Sequence, residues 1–149
     1  MIRHLFNIIL LGVLLPVAAF SQINTDKVMT VGRNALYFED YVLSIQYFNQ
    51  VIGVKPYLAE PYFFRGLAKI NLDDYQGAEK DCSEAIQRNP FVVNAYQIRG
   101  IARIRQNNFK GAVADYQRAL KLDPENISLW HNLVLCRMKL EEYPSAKSG

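Results

Sequence analysis

Residues 59–92 read AEPYFFRGLAKINLDDYQGAEKDCSEAIQRNPFV, and residues 93–126 read VNAYQIRGIARIRQNNFKGAVADYQRALKLDPEN. Laid one over the other, the two stretches share a glycine at 66 and 100, an aromatic at 75 and 109, an alanine at 78 and 112, and a proline at 90 and 124. The same columns extend outward. Gly32 precedes Gly66 by 34 residues, Pro56 precedes Pro90, and Tyr41 and Tyr143 flank Tyr75 and Phe109. Val28, Tyr62, Tyr96 and Trp130 form a further column, and Ser44, Ala78, Ala112 and Ala146 another. A period of this length belongs to stacked units, each of which buries its apolar face only against its neighbours. Such an architecture favours binding over chemistry in a closed cleft.

Within each period the pattern divides into two helices. Ala78, Cys82, Ala85 and Ile86 lie on one stripe of the stretch 76–88, with Glu79, Lys80, Ser83 and Gln87 opposite, which is the pattern of an amphipathic helix. Asn89-Pro90 stops it, because the residue before proline is pushed out of the helical region. The same reasoning predicts helices at 26–38, 42–54, 60–72, 94–106, 110–122 and 128–140. The mid-helix glycines cost about 1 kcal/mol each against alanine, so close approach of the partner helix is expected there. The aromatics at 41, 75, 109 and 143 are expected in the turn between helices.

These residues resemble the tetratricopeptide repeat family over residues 25 to 146. Tyr62, Gly66, Tyr75, Ala78, Ala85 and Pro90 fall where the family places aromatic, glycine, aromatic, alanine, alanine and proline, and Tyr96, Gly100, Phe109, Ala112, Ala119 and Pro124 repeat the set. Val28, Ser44 and Val51 make the first unit divergent. The expected division is a leader at 1–21, repeats at 25–58, 59–92 and 93–126, and an incomplete repeat at 127–149. The resemblance implies an all-α, right-handed superhelical solenoid of antiparallel helix pairs, with a concave face lined by the first helix of each pair. The fourth unit reaches Gly149 within the expected start of its second helix. Repeat arrays need a covered end, so either the native chain continues or something else covers 128–149; self-association through that region is one option.

The first 21 residues differ in kind. Arg3 and His4 precede an almost wholly apolar stretch, Leu5 to Phe20, and Ala19-Phe20-Ser21 offers small residues at alternate positions. This is an export signal, with cleavage expected before Gln22; the alternative is an uncleaved anchor, for which the run falls short of the ~20 residues that span a bilayer. The expected location is the periplasm or outer membrane, or outside the cell if the source is not bacterial. The net charge of +3 is too small to argue for nucleic acid or an anionic membrane surface. Cys82 and Cys136 fall two units apart and are expected to stay unpaired, as the Cα atoms of a bridge lie within about 7 Å.

Nothing in the chain assembles a catalytic or metal-binding constellation. His131 is the one histidine beyond the leader, with no nucleophile or co-ligand at credible spacing. Asp73-Asp74 and Glu141-Glu142 are carboxylate pairs in equivalent turns, where Asn107-Asn108 also stands, so turn chemistry explains them. Asn126-Ile127-Ser128 fits a glycosylation acceptor but such triplets are common. No enzyme activity, cofactor or small-molecule substrate is expected. Arg65 and Asp81, and again Arg99 and Asp115, hold fixed columns that in the first unit are Val31 and Tyr47. An ion pair between helices is expected, either Arg65 with Asp81 inside a unit or Arg99 with Asp81 across units.

The expected partner is a protein or peptide held in the groove by Met29, Arg33, Phe63, Leu67, Asn94, Gln97, Ile101 and His131. The helix at 62–72 is apolar nearly all round; its second stripe either faces the groove or is covered by neighbouring helices. Chaperone-binding members of the family clamp a C-terminal carboxylate with Lys and Asn, then Asn, then Lys and Arg, on successive helices. The matching positions here are Met29, Arg33, Phe64, Asn94 and Ile98, and one unit later Phe63, Leu67, Ile98, Ser128 and Asn132. Neither set fits, so an acidic C-terminal tail is disfavoured.

Overall fold

The computed structural model describes residues 23–142, which form seven helices and no strand. The leader expected at 1–21 lies outside the described residues, as do Tyr143 and Ala146. The helices are α1 Thr25–Tyr37, α2 Tyr41–Val54, α3 Glu60–Asn71, α4 Tyr75–Arg88, α5 Val93–Arg105, α6 Phe109–Leu122 and α7 Ile127–Glu142. None of them is long and apolar enough to cross a membrane.

The turns explain the boundaries. Asp40, Asp74 and Asn108 each accept a hydrogen bond from the backbone N–H three residues on, at Leu43, Gly77 and Gly111. That cap satisfies an orphan amide and starts the helix. The aromatics Tyr41, Tyr75 and Phe109 are therefore the first residues of α2, α4 and α6, one step inside the helix and not in the turn. The residue before each cap, Glu39, Asp73 or Asn107, takes φ of 62°, 59° or 60°. This left-handed residue ends the preceding helix, so α1, α3 and α5 stop one residue earlier than the periodicity predicts. At the fourth unit the expected turn is absent. Glu141 and Glu142 continue α7, and Lys139 pairs with Glu142 at 2.7 Å. Neither Asp nor Asn occupies the capping position there.

Each helix packs on its neighbours in sequence, and α3 also touches α1 and α5. No comparable contact joins α2, α4 and α6 to one another. Helices α1, α3 and α5 therefore sit closer together and form the inner side of the stack, and register places α7 next in that row. The core is correspondingly divided. One cluster joins Met29, Phe48 and Val51; a second joins Tyr62, Ala85 and Ala95; a third runs from Tyr96 through Tyr116 to Leu129 and Leu133.

The mid-helix glycines meet a single column. A Cβ at Gly100 would lie 2.9 Å from the Tyr116 ring, and one at Gly66 would lie 3.0 Å from the Cys82 sulfur. The residue that requires the glycine is thus the 48/82/116 column, with the backbone oxygen of Ala78 a secondary contact. A second regularity was not read from the sequence. The hydroxyls of Tyr62 and Tyr96 donate to the carbonyls of Pro56 and Pro90, and the Trp130 indole N–H donates to that of Pro124 at 2.8 Å. Each aromatic thereby ties the start of its unit to the loop before it.

Candidate functional site

The inner face carries two register columns, one turn apart on each odd-numbered helix. The first is Met29, Phe63, Gln97 and His131; the second is Arg33, Leu67, Ile101 and Leu135. Asn94 stands one turn before Gln97 on α5. Met29 is 7% exposed and packs on Phe48 and Val51 in the core. It reaches the surface as the floor of a recess lined also by Thr30, Arg33, Leu58 and Glu60.

Arg33 is exposed and pairs with Glu60 at 3.2 Å, while its guanidinium lies 5.9 Å from the Phe64 ring centre. It thereby bridges α1 and α3 across the inner face. Phe64 stacks on Phe48, and Phe63 lies against Phe64 at 5.1 Å. Both rings are half-buried, as are Leu67, Gln97 and Ile101. Neighbouring helices therefore cover part of the apolar stripe on α3 and leave part open, so both alternatives for that stripe hold in some measure. Asn94 and His131 are exposed. Toward α7 the face opens further, with Leu135 46% and Met138 52% exposed.

The charged columns turn away from this face into the helix interfaces. Arg65 grips Asp81 with two bonds, Nε to Oδ2 at 2.8 Å and Nη2 to Oδ1 at 2.7 Å. Arg99 does the same to Asp115, at 3.1 and 2.6 Å. The pairing is within the unit. The third nitrogen of each arginine reaches back across units, Arg65 to Asn49 and Arg99 to Ser83. A second cation joins each aspartate: Lys69 lies 2.9 Å from Asp81 and Arg103 lies 3.0 Å from Asp115. These second cations stand in one column, and that shared position was the available signal. Arg103 also bonds Glu79 of the preceding unit at 2.8 Å, and Gln106 donates to the same carboxylate. Burial pushes the Glu79 carboxyl upward, but the bonds from Arg103 and Gln106 outweigh it and leave the group below its ordinary range. The hydrogen bond to Asp81 holds the Arg65 guanidinium above its usual value.

Cys82 and Cys136 are free and buried. Burial pushes their thiols up to about 12 and about 11, so neither is a ready nucleophile. Among the described residues no three His, Cys, Asp or Glu side chains converge as metal ligands. Asp73 and Asp74 serve the turn, with Asp73 accepting from the Tyr75 hydroxyl and Asp74 capping α4. Asn126 is engaged at the start of α7, where it bonds Asp123 and accepts from the Leu129 amide.

Comparison with known proteins matches this geometry. A family model described as a TPR repeat matches residues 100–135, and one described as a tetratricopeptide repeat matches residues 59–91. The TPR domain of Arabidopsis OM64 is 27% identical, superposes with a TM-score of 0.75, and covers 76% of this chain and 94% of its own. The first TPR of Spaghetti (RPAP3), bound to the HSP90 peptide SRMEEVD, is 26% identical with a TM-score of 0.75, covering 78% and 95%. The first TPR domain of human RPAP3 is 25% identical, again at 0.75, covering 84% and 96%. No protein of curated function matches the chain.

Proposed function

We propose that this chain, which belongs to the tetratricopeptide repeat family, is a non-catalytic scaffold that holds an apolar segment of another protein against the inner face of α1, α3, α5 and α7. The supporting observation is the column Leu67, Ile101 and Leu135, which presents an aliphatic side chain one turn beyond Phe63, Gln97 and His131 in three successive units. An apolar strip with a few polar groups beside it suits an amphipathic helix or an extended apolar peptide. The Spaghetti domain binds a peptide that ends in acidic residues. The clamp positions of chaperone-binding family members fall here on Met29, Arg33, Phe64, Asn94 and Ile98, or one unit later on Phe63, Leu67, Ile98, Ser128 and Asn132; Arg33 is the one cation in either set and is already paired with Glu60. The preferred occupant of this groove therefore differs from an acidic C-terminal tail. Residues 1–21 would direct the chain through a membrane to work in the periplasm or at the outer membrane.

The test compares capture from the protein's own envelope extract by the parent chain, Leu67→Ala and Ile101→Ala. We expect each variant to lose at least ten-fold of the specifically retained partner, with circular dichroism and Tm near the parent's. Full capture by both variants would reject the groove. Phe63→Ala is a weaker probe, because Phe63 also packs on the cluster of Tyr62, Ala85 and Ala95.

A further inference from the structure

Trp130, Leu133, Val134 and Arg137 occupy on α7 the positions that Tyr96, Arg99, Gly100 and Arg103 occupy on α5. On α5 that face is covered by α6, with Asp115 between Arg99 and Arg103 and the Tyr116 ring over Gly100. On α3 it is covered by α4, with Asp81 on Arg65 and Lys69. On α7 Leu133 is buried in the core, but Trp130 is 49% and Val134 51% exposed, and Arg137 is exposed too. Between this face and α6 lies a cavity of about 640 Å³ lined by Ala114, Leu120, Trp130 and Leu133. Arg118, Lys121 and Arg137 ring the cavity, and no acidic residue lines it. None of the three makes an ion pair among the described residues.

We propose that this face docks an acidic amphipathic helix from a partner protein, lying antiparallel to α7. The chain itself defines the chemistry. The second-cation column pairs with an aspartate of the covering helix in both complete examples, Lys69 with Asp81 and Arg103 with Asp115. Arg137 is the third member of that column, and its counterpart register position is Gly149. Residues 143–149 contain no Asp or Glu, and their one charged side chain is Lys147. A helix that covers this face therefore brings its carboxylate from outside residues 143–149. Val134 replaces the glycine of the other units, so the residue opposite it must be small. Acidic residues one turn along would meet Arg118 and Lys121. Trp130 and Val134, one turn apart on α7 with Arg137 a turn further on, suit a helix as occupant.

The probe is a helix-stapled peptide with the α4 sequence Tyr75–Arg88 carrying Cys82→Ala, which presents Glu79, Asp81 and Glu84. Trp130 is the one tryptophan of the chain, so its emission reports on this face alone. Added to the full chain, the peptide is expected to shift that emission to shorter wavelength saturably. Asp81→Asn in the peptide, or Arg137→Gln in the protein, should each weaken the titration roughly ten-fold, a loss of about 1.4 kcal/mol. No shift with the parent peptide, or equal affinity for the Asp81→Asn peptide, would overturn the proposal. So would emission from the free chain that is already that of a shielded indole, since the face would then be occupied by residues 143–149 or, if the emission changes on dilution, by a second copy.

Discussion

Phe48, Cys82 and Tyr116 hold one register position in successive units, and all three side chains are fully buried. Each fills the notch left by the glycine of its partner helix. The position takes an aromatic ring, a thiol and a phenol, so what it demands is apolar volume and not a polar group. The Tyr116 hydroxyl is the exception, as it is buried with no hydrogen-bond partner among the described residues. Burial accordingly pushes the phenol upward. An unsatisfied buried hydroxyl carries a desolvation cost of about 1–3 kcal/mol. Tyr116→Phe removes that oxygen and keeps the ring, as Phe48 does naturally. We expect it to raise the unfolding free energy by about 1 kcal/mol, seen as a higher urea midpoint at unchanged m-value. A lower midpoint would mean that the hydroxyl has a partner such as an ordered water. Burial of this column was legible from its apolar character at helical spacing. The orphaned hydroxyl was not, because spacing places a ring on a face without saying what its far end meets.

At the scale of the helix, the sequence pattern located all seven described elements to within two residues, and the errors share a cause. Apolar periodicity marks the buried stripe, whereas the ends are decided by caps and by one left-handed residue per turn. The capping residues Asp40, Asp74 and Asn108 are plain in the sequence; read as caps, they would have placed the aromatics inside the helices. Which aspartate each arginine meets was not legible, because within-unit and across-unit partners have the same spacing pattern. The structure resolves it in favour of a two-pronged bond inside the unit with a third bond reaching back. Arg99 therefore ties α5 to both α6 and α4. Asp115 is 2% exposed, and removing one partner of a buried pair leaves an under-compensated charge. Arg99→Ala is expected to cost about 3 kcal/mol, measured by urea unfolding. Arg33→Ala, which breaks the exposed pair with Glu60, should cost under about 1 kcal/mol. Equal losses would show that burial does not set the worth of these bridges. Val31 and Tyr47 hold the equivalent places in the first unit, so the stack accepts an apolar solution where the whole pair is replaced.

Across the whole stack, the described residues form three core clusters joined through shared helices, not one centre. Stability in such a stack is close to a sum of unit terms and nearest-neighbour interfaces. The middle helices, α4 and α5, are each packed on both sides, and their interface carries the cross-unit bonds of Arg99 to Ser83 and Arg103 to Glu79. By contrast α7 packs on α6 and shows Trp130, Val134, Leu135 and Met138 to solvent. The same asymmetry that opens the end face for docking should therefore be measurable as a gradient of local stability. Native-state hydrogen exchange is expected to give the largest opening free energies for amides of α4 and α5. Amides of α7 should exchange through a local opening that is cheaper by about 2 kcal/mol or more and nearly insensitive to low denaturant. Binding of an acidic helix on the end face would raise protection in α7 first and leave α4 almost unchanged. Uniform protection across all seven described helices, lost together with denaturant, would instead mean a single cooperative core, and a stack of semi-independent units would not be the right physical description.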